Sequence, residues 1–156
     1  MAAAILAIAV AAVVMPFTCG VRTQDIESRQ TLATSLAAEL MEEIILKPFE
    51  EPSDGDELPE PVSSFGPESN ELTRSSFSAM DDYDGYEEKA GHILDPSGHL
   101  ITDEAAVGLS RRVSVEYVYV TGQDTGEPPS FMRVVVVVCY NDMEIFKLTR
   151  LVHWIH

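Results

Sequence analysis

Basic residues are scarce in this sequence. Its 156 residues include 10 Lys and Arg against 26 Asp and Glu, which gives a net charge of -16. Nucleic acids and anionic surfaces are bound by cations that neutralise phosphates. We therefore expect no nucleic-acid partner, and the length allows one domain with a modest core.

Catalytic motifs are also missing. The sequence has no glycine-rich phosphate loop, no CxxC pair, no HExxH and no GxSxG, which are the common signatures of nucleotide, redox, zinc and serine-hydrolase sites. Its four histidines lack metal-ligand spacing. We predict that the protein is not an enzyme. A hydrolase that uses loop carboxylates is the alternative with the least support.

Cysteine is nearly absent, with Cys19 and Cys139 as the only two. Two cysteines are too few for a disulfide scaffold or a cysteine-based metal site. Cys19 closes an apolar run, whereas Cys139 lies in a strand-like run near the other end of the chain. We expect no bridge between them, and the sequence leaves their redox state open.

Apolar residues are abundant at the start of the chain. Residues 2–21 read AAAILAIAVAAVVMPFTCGV, without a charged side chain. About twenty apolar helical residues can span a bilayer core of about 30 Å. A cleaved signal peptide is one alternative, but no basic region precedes the run. A lipoprotein signal is the other, but Pro16-Phe17-Thr18-Cys19 lacks the small residue expected directly before the cysteine. We predict that residues 1–21 are a transmembrane anchor whose apolar residues include Ile5, Leu6, Ile8, Val10, Val13 and Val14.

Residues 22–47 predict that the same helix continues in amphipathic form. No Gly or Pro interrupts this stretch, and Pro48 marks its end. Apolar residues recur at helical spacing, and those expected to pack on the globular part are Ile26, Ala33, Leu36, Leu40 and Ile44. The sequence therefore predicts one long helix, apolar first and then amphipathic.

The region 48–91 is acidic and rich in turn residues. It begins with PFEEPSDGDELPEP, whose prolines and acids exclude regular structure. Spaced apolar residues further on are expected to pin this loop region to the core, namely Phe65, Phe77, Met80, Tyr83 and Tyr86.

A calcium site is the one cofactor hypothesis that the sequence supports. Asp81, Asp82 and Asp84 precede Gly85, and calcium binds several hard oxygens on a tightly turning loop. The hand-type motif fails, because Met80 and Gly91 occupy its first and last ligand positions. A looser calcium site stays open, with a weaker second candidate at Asp54, Asp56 and Glu57.

The region 92–156 changes to strand-like periodicity. Alternating or apolar runs at 111–121, 131–140 and 143–152 predict sequential antiparallel strands, and short extra strands are possible around 92–103. Asn141-Asp142 is typical of a tight turn. The run FMRVVVVVCY is apolar on both faces and is expected to be a central, covered strand. The predicted fold is α+β, with the long helix packed on a sheet of three or more strands.

The layout resembles type IV pilin-like proteins, which include minor pilins and the pseudopilins of type II secretion. The likeness rests on AAAILAIAVAAVVMPF running into TLATSLAAELMEEIILKPFEEP, followed by DDYDGY, RRVSVEYV and an apolar hairpin. The segment TLATSLAAELMEEIILKPFEEP is similar to the sequence pattern LA-x-x-L-A-x-x-LMEEI of minor pilins of the pilus-modification type. The resemblance covers most of the chain, with its firm part in about the first 52 residues.

This resemblance implies a structural subunit of the cell envelope. Such a subunit would be a single-pass inner-membrane protein with its globular part outside the cytoplasm, and its helix would pack with other pilin-like subunits in a pilus or a secretion pseudopilus. The family opens with a basic leader, whereas this sequence starts at Met1-Ala2. We expect either a start further upstream or a degenerate subunit. A small exported or anchored binding domain without a fibre role is the alternative function.

Overall fold

The computed structural model describes residues 2–49, 65–123 and 130–153, with side chains from Thr23 onward. One helix, α1, spans Ala2–Ile45. Four strands follow, which are β1 Glu87–Glu88, β2 Leu109–Val118, β3 Phe131–Tyr140 and β4 Met143–His153. Short 3-10 helices occur at Arg74–Ser76, Asp81–Tyr83 and Glu104–Ala106.

The fold is broadly α+β, but the predicted division of the helix into an apolar half and an amphipathic half is wrong. The helix with described side chains starts at Thr23 and has 23 residues. It packs on the sheet along one side. Charged residues recur along these 23 residues, so this part of the helix contains no long apolar stretch; they are Asp25, Glu27, Arg29, Glu39, Glu42 and Glu43.

The predicted inner-membrane, single-pass localisation is also wrong. Within the residues that the structure describes, no helix has both the length and the apolar character that a membrane crossing requires. The predicted anchor residues lie outside the described side chains; they are Ile5, Leu6, Ile8, Val10, Val13 and Val14.

The four strands form one antiparallel sheet in the order β1-β2-β3-β4. The three strands predicted from alternation are confirmed as β2, β3 and β4. Asn141 and Asp142 connect β3 to β4 with φ angles of 48° and 66°, a left-handed conformation that Asn and Asp tolerate well. Around residues 92–103, where extra strands were possible, Leu94 and Leu100 form an isolated bridge.

The core lies between α1 and one face of the sheet. Ala33, Leu36, Leu40 and Ile44 are each at most 1% exposed, because residues three and four apart share one side of a helix. Alternate residues of β2 and β3 complete this layer, among them Val113, Val115, Met132, Val134, Val136 and Val138. On the opposite face of β3 the prediction of a fully covered strand holds only in part, since Val135 is half-buried and Arg133 is exposed.

The segment from Phe65 to Tyr86 closes one side of the core. As predicted, apolar residues fix it: Phe77, Met80 and Tyr83 are buried, and Phe65 and Tyr86 pack on the core while partly exposed. The rings of Phe77 and Tyr83 meet edge to face, with their centroids 4.9 Å apart, a favourable aromatic geometry. This segment brings acidic and tyrosine side chains against α1.

Candidate functional site

A buried arginine on β2 joins the sheet to the helix. Arg111 is 1% exposed. Its Nη1 donates to the carbonyl oxygen of Leu36 on α1 at 2.9 Å, and its Nη2 donates to that of Leu94 at 2.6 Å. Its Nε donates to a carboxylate oxygen of Glu88. A buried guanidinium must satisfy its donors, and Arg111 does so with partners from three separate segments.

A second arginine extends this arrangement into a network. Arg74 Nε donates to Oε1 of Glu43 on α1 at 2.8 Å, and Nη2 donates to the other oxygen of the same carboxylate. Arg74 Nη1 donates to Oε1 of Glu88 at 3.2 Å. Glu88 therefore lies between Arg74 and Arg111, and two acids balance two bases. We call Glu43, Arg74, Glu88 and Arg111 the ion-pair network.

Two tyrosines complete the network. The hydroxyl groups of Tyr83 and Tyr86 donate to Glu43 and Glu88, each at 2.7 Å. Burial, together with these hydrogen bonds to carboxylates, raises the pKa of both tyrosines, so they stay neutral donors. Burial would raise the pKa of Glu43, but hydrogen bonds from Arg74 and Tyr83 and the arginine charges outweigh it, and the pKa is lowered.

These interactions make the network a structural connection. Each of its charged groups has an opposite charge within hydrogen-bonding distance, and removal of one partner from a buried pair destabilises a protein strongly. A proton donor or acceptor for catalysis would need a pKa near neutral pH. The lowered pKa of Glu43 and the raised pKa of the tyrosines move these groups away from that range.

The structure gives different positions to the three predicted calcium ligands. Asp84 Oδ1 accepts a hydrogen bond from the backbone of Val115 at 2.8 Å. Asp82 Oδ2 accepts from the backbones of Ser78 and Ala79 at 2.7 and 2.8 Å. Asp81 is fully buried. Calcium binding by this trio stays a prediction.

Asp82 instead faces acids from an earlier turn. In the described part of the chain, the acidic ligand atoms that lie close together belong to Glu68, Glu71 and Asp82. The weaker calcium candidates Asp54, Asp56 and Glu57 lie outside the described residues.

The helix surface near Ile26 is the candidate interaction site. Of the five predicted packing residues, Ala33, Leu36, Leu40 and Ile44 lie in the core, whereas Ile26 is 60% exposed. The guanidinium of Arg29 lies 4.0 Å from the centre of the Tyr140 ring at the end of β3. The end of β3 thus lies beside Arg29, and the exposed side chain of Ile26 lies about one helical turn further toward the N-terminus.

The described histidines and cysteine do not form a reactive centre with one another. His92 and His99 are exposed in the loop region before β2, and His153 ends β4 beside the ring of Phe131. Cys139 is a buried free thiol on β3, while the side chain of Cys19 lies outside the described residues.

Comparison with known proteins does not identify a family for this chain. No protein-family model, curated protein or solved structure matches the chain.

Proposed function

We propose that the protein is a non-catalytic structural subunit of the type IV pilin-like kind. It assembles with other pilin-like subunits through the N-terminal part of α1, in a pilus or in a secretion pseudopilus. The observation that carries this proposal is the apolar stripe of α1, which continues at Ile26 beyond the part of the helix that the sheet covers.

Helical geometry supports this role for Ile26. It precedes Ala33 by seven residues, which is close to two turns, so both side chains lie on the same side of the helix. Ala33 is fully buried against the sheet domain, while Ile26 is 60% exposed. The same side of the helix therefore packs on the core at Ala33 and leaves Ile26 accessible to a partner helix.

The backbone of α1 also has the length for such an assembly. It extends from Asp25 back to Ala2, which is about 35 Å at 1.5 Å per residue. The sequence of this part is rich in alanine, and small residues let helices approach one another closely. A sheet domain packed on one end of a long helix is the arrangement expected of a subunit that packs by its helix.

The ion-pair network supports a mechanical function. Arg111 holds the Leu36 carbonyl, and Arg74 holds Glu43, so α1 is attached to the sheet domain at two points. A helix that packs into a fibre must hold the sheet domain in a defined orientation. Buried, hydrogen-bonded charge pairs provide that orientation, because breaking them is costly.

The proposal is tested by fibre incorporation of the variant Ile26→Asp in the native host. Sheared surface fibres and envelope fractions are probed for the full chain by quantitative immunoblotting. A carboxylate at a helix–helix contact would be desolvated without a partner, so we expect at least about a tenfold loss from the fibre fraction. Leu72→Asp is the matched control, since Leu72 is 86% exposed and lies outside the helix.

Equal incorporation of the two variants would contradict the proposal. Absence of the unmodified chain from fractions that contain pilin-like subunits would contradict it as well. The second outcome favours the alternative of a small binding domain without a fibre role.

A further inference from the structure

We propose that Glu68, Glu71 and Asp82 form a binding site for one calcium ion. This site differs from the aspartate triplet that the sequence suggests, and it does not depend on the proposed assembly function. We call these three residues the acid cluster. Its carboxylates come from two neighbouring segments, the turn at Glu68–Glu71 and the 3-10 helix Asp81–Tyr83.

The spacing of the acid cluster fits one ion. One carboxylate oxygen from each residue lies within 4.8 Å of the other two. Oxygens that bind the same calcium ion at about 2.3–2.6 Å can be at most about 5 Å apart. All the side-chain ligands are carboxylate oxygens, which suit calcium, magnesium or manganese rather than softer metals.

Two of the carboxylates are buried with an oxygen that accepts no hydrogen bond. Glu71 is 6% exposed and Asp82 is 0% exposed. Within the described chain, Oε2 of Glu71 and Oδ1 of Asp82 have no hydrogen-bond partner. Buried acceptors without a donor are costly and rare. A cation between them would supply the missing interaction.

Three buried or half-buried basic side chains donate their hydrogen bonds to groups outside the acid cluster. Arg74 and Arg111 donate to the carboxylates of Glu43 and Glu88 and to backbone carbonyls. Lys47 donates to the carbonyl oxygen of Phe77. None of these hydrogen bonds goes to a carboxylate of the acid cluster. The negative charge of the cluster is therefore available to bind a metal cation.

Asp82 and Glu71 lie close enough to influence each other's pKa. Burial, together with the neighbouring Glu71, raises the pKa of Asp82, against hydrogen bonds from Ala79 and Ser78 that lower it. Burial would raise the pKa of Glu71 too, but hydrogen bonding to Glu68, Ser78 and Asp82 outweighs this and lowers it.

The exposure of the three acids indicates how an ion enters. Glu68 is exposed, whereas Glu71 and Asp82 are buried behind it. Calcium can combine such carboxylates with water in a flexible geometry, whereas magnesium dehydrates reluctantly. The bound ion would tie the Glu68–Glu71 turn to the 3-10 helix that carries Tyr83, and through Tyr83 to Glu43 of α1.

Isothermal titration of the chelator-treated full chain with calcium chloride at pH 7 tests this site. We expect one calcium per chain. The variant Glu68→Gln removes one ligand charge at an exposed position and should weaken binding by at least about tenfold. Glu87→Gln is the matched control, because Glu87 is also exposed and lies outside the cluster; this variant should bind as the parent does.

Thermal unfolding provides a second measurement of calcium binding. The Tm of each variant is compared with and without calcium, so a loss of stability caused by the substitution itself does not affect the result. Calcium should raise the Tm of the parent and of Glu87→Gln, and it should leave the Tm of Asp82→Asn unchanged. The proposal is overturned if millimolar calcium gives no saturable binding, if Glu68→Gln binds like the parent, or if magnesium binds as tightly. A failure here leaves the fibre test unaffected, since the Ile26 experiment does not depend on calcium.

Discussion

Arg111 shows at the scale of one residue what alternation along the sequence can and cannot reveal. It is two residues before Val113 and four before Val115, so strand periodicity places it on the inward face. A charged residue at an inward position signals a buried partner. The sequence does not show which acid that is, because Glu88 is 23 positions away and the pairing depends on β1, a strand of two residues.

Glu43 provides a pH-dependent test of the ion-pair network. Its pKa in the folded protein lies below the ordinary value of 4.5. A lowered pKa stabilises the fold above pH 4.5, and this contribution is lost as the pH falls through the folded-state pKa. We therefore expect the free energy of unfolding of the parent to fall below pH 4.5, and Glu43→Gln to show a shallower fall.

Urea unfolding between pH 2 and pH 7 measures this effect. Glu42→Gln is the matched control, because Glu42 is the neighbouring acid on α1 and is exposed. It should follow the parent curve, and identical acid slopes for the Glu42 and Glu43 variants would refute the role assigned to Arg74 and Tyr83.

Elements of regular structure were more predictable than their contacts. The strands β2, β3 and β4 agree with the alternating runs, because a half-buried sheet imposes a period of two on its sequence. The helix side formed by Ala33, Leu36 and Leu40 agrees with a period of 3.6 for the same reason. The predicted inner-membrane localisation was wrong, because the described residues contain no helix that is both long and apolar enough to cross a membrane.

The helix–sheet layer predicts a large cost for truncation in the middle of α1. Leu40 is 0% exposed, so Leu40→Ala would leave a cavity and should lower the free energy of unfolding by about 2–5 kcal/mol. Leu46→Ala is the control, because Leu46 is 84% exposed and should change stability by less than about 0.5 kcal/mol. Chemical denaturation measures both, and equal effects would contradict the described packing.

The acid cluster shows why residues that lie together in the structure cannot always be predicted from their spacing in the sequence. Asp81, Asp82 and Asp84 are adjacent in sequence, but backbone hydrogen bonds direct Asp84 to β2 and Asp82 to Ser78 and Ala79. The acids that meet Asp82 come from a turn more than ten residues earlier. Local spacing finds loop motifs such as the hand-type site, whereas a cluster assembled from two turns depends on how the loop docks.

The whole molecule packs one face of a four-stranded sheet on the C-terminal part of a single helix. Its buried arginines join the helix to the sheet domain through Glu43 and the carbonyl oxygen of Leu36. The overall α+β class followed from the periods in the sequence. The orientation of the sheet domain on the helix could not be predicted from the sequence. It depends on the ion-pair network, whose residues Arg74, Glu43, Glu88 and Arg111 come from four separate parts of the chain.

Photo-cross-linking from position 26 in the native host tests the assembly claim most directly. A photoreactive amino acid replaces Ile26 in one strain and Leu72 in a control strain, and both side chains are exposed in the isolated chain. We predict that irradiated fibres from the first strain contain adducts with a pilin-like subunit and that the control strain gives none. Adducts absent from position 26, or equally abundant from both positions, would contradict helix-mediated assembly.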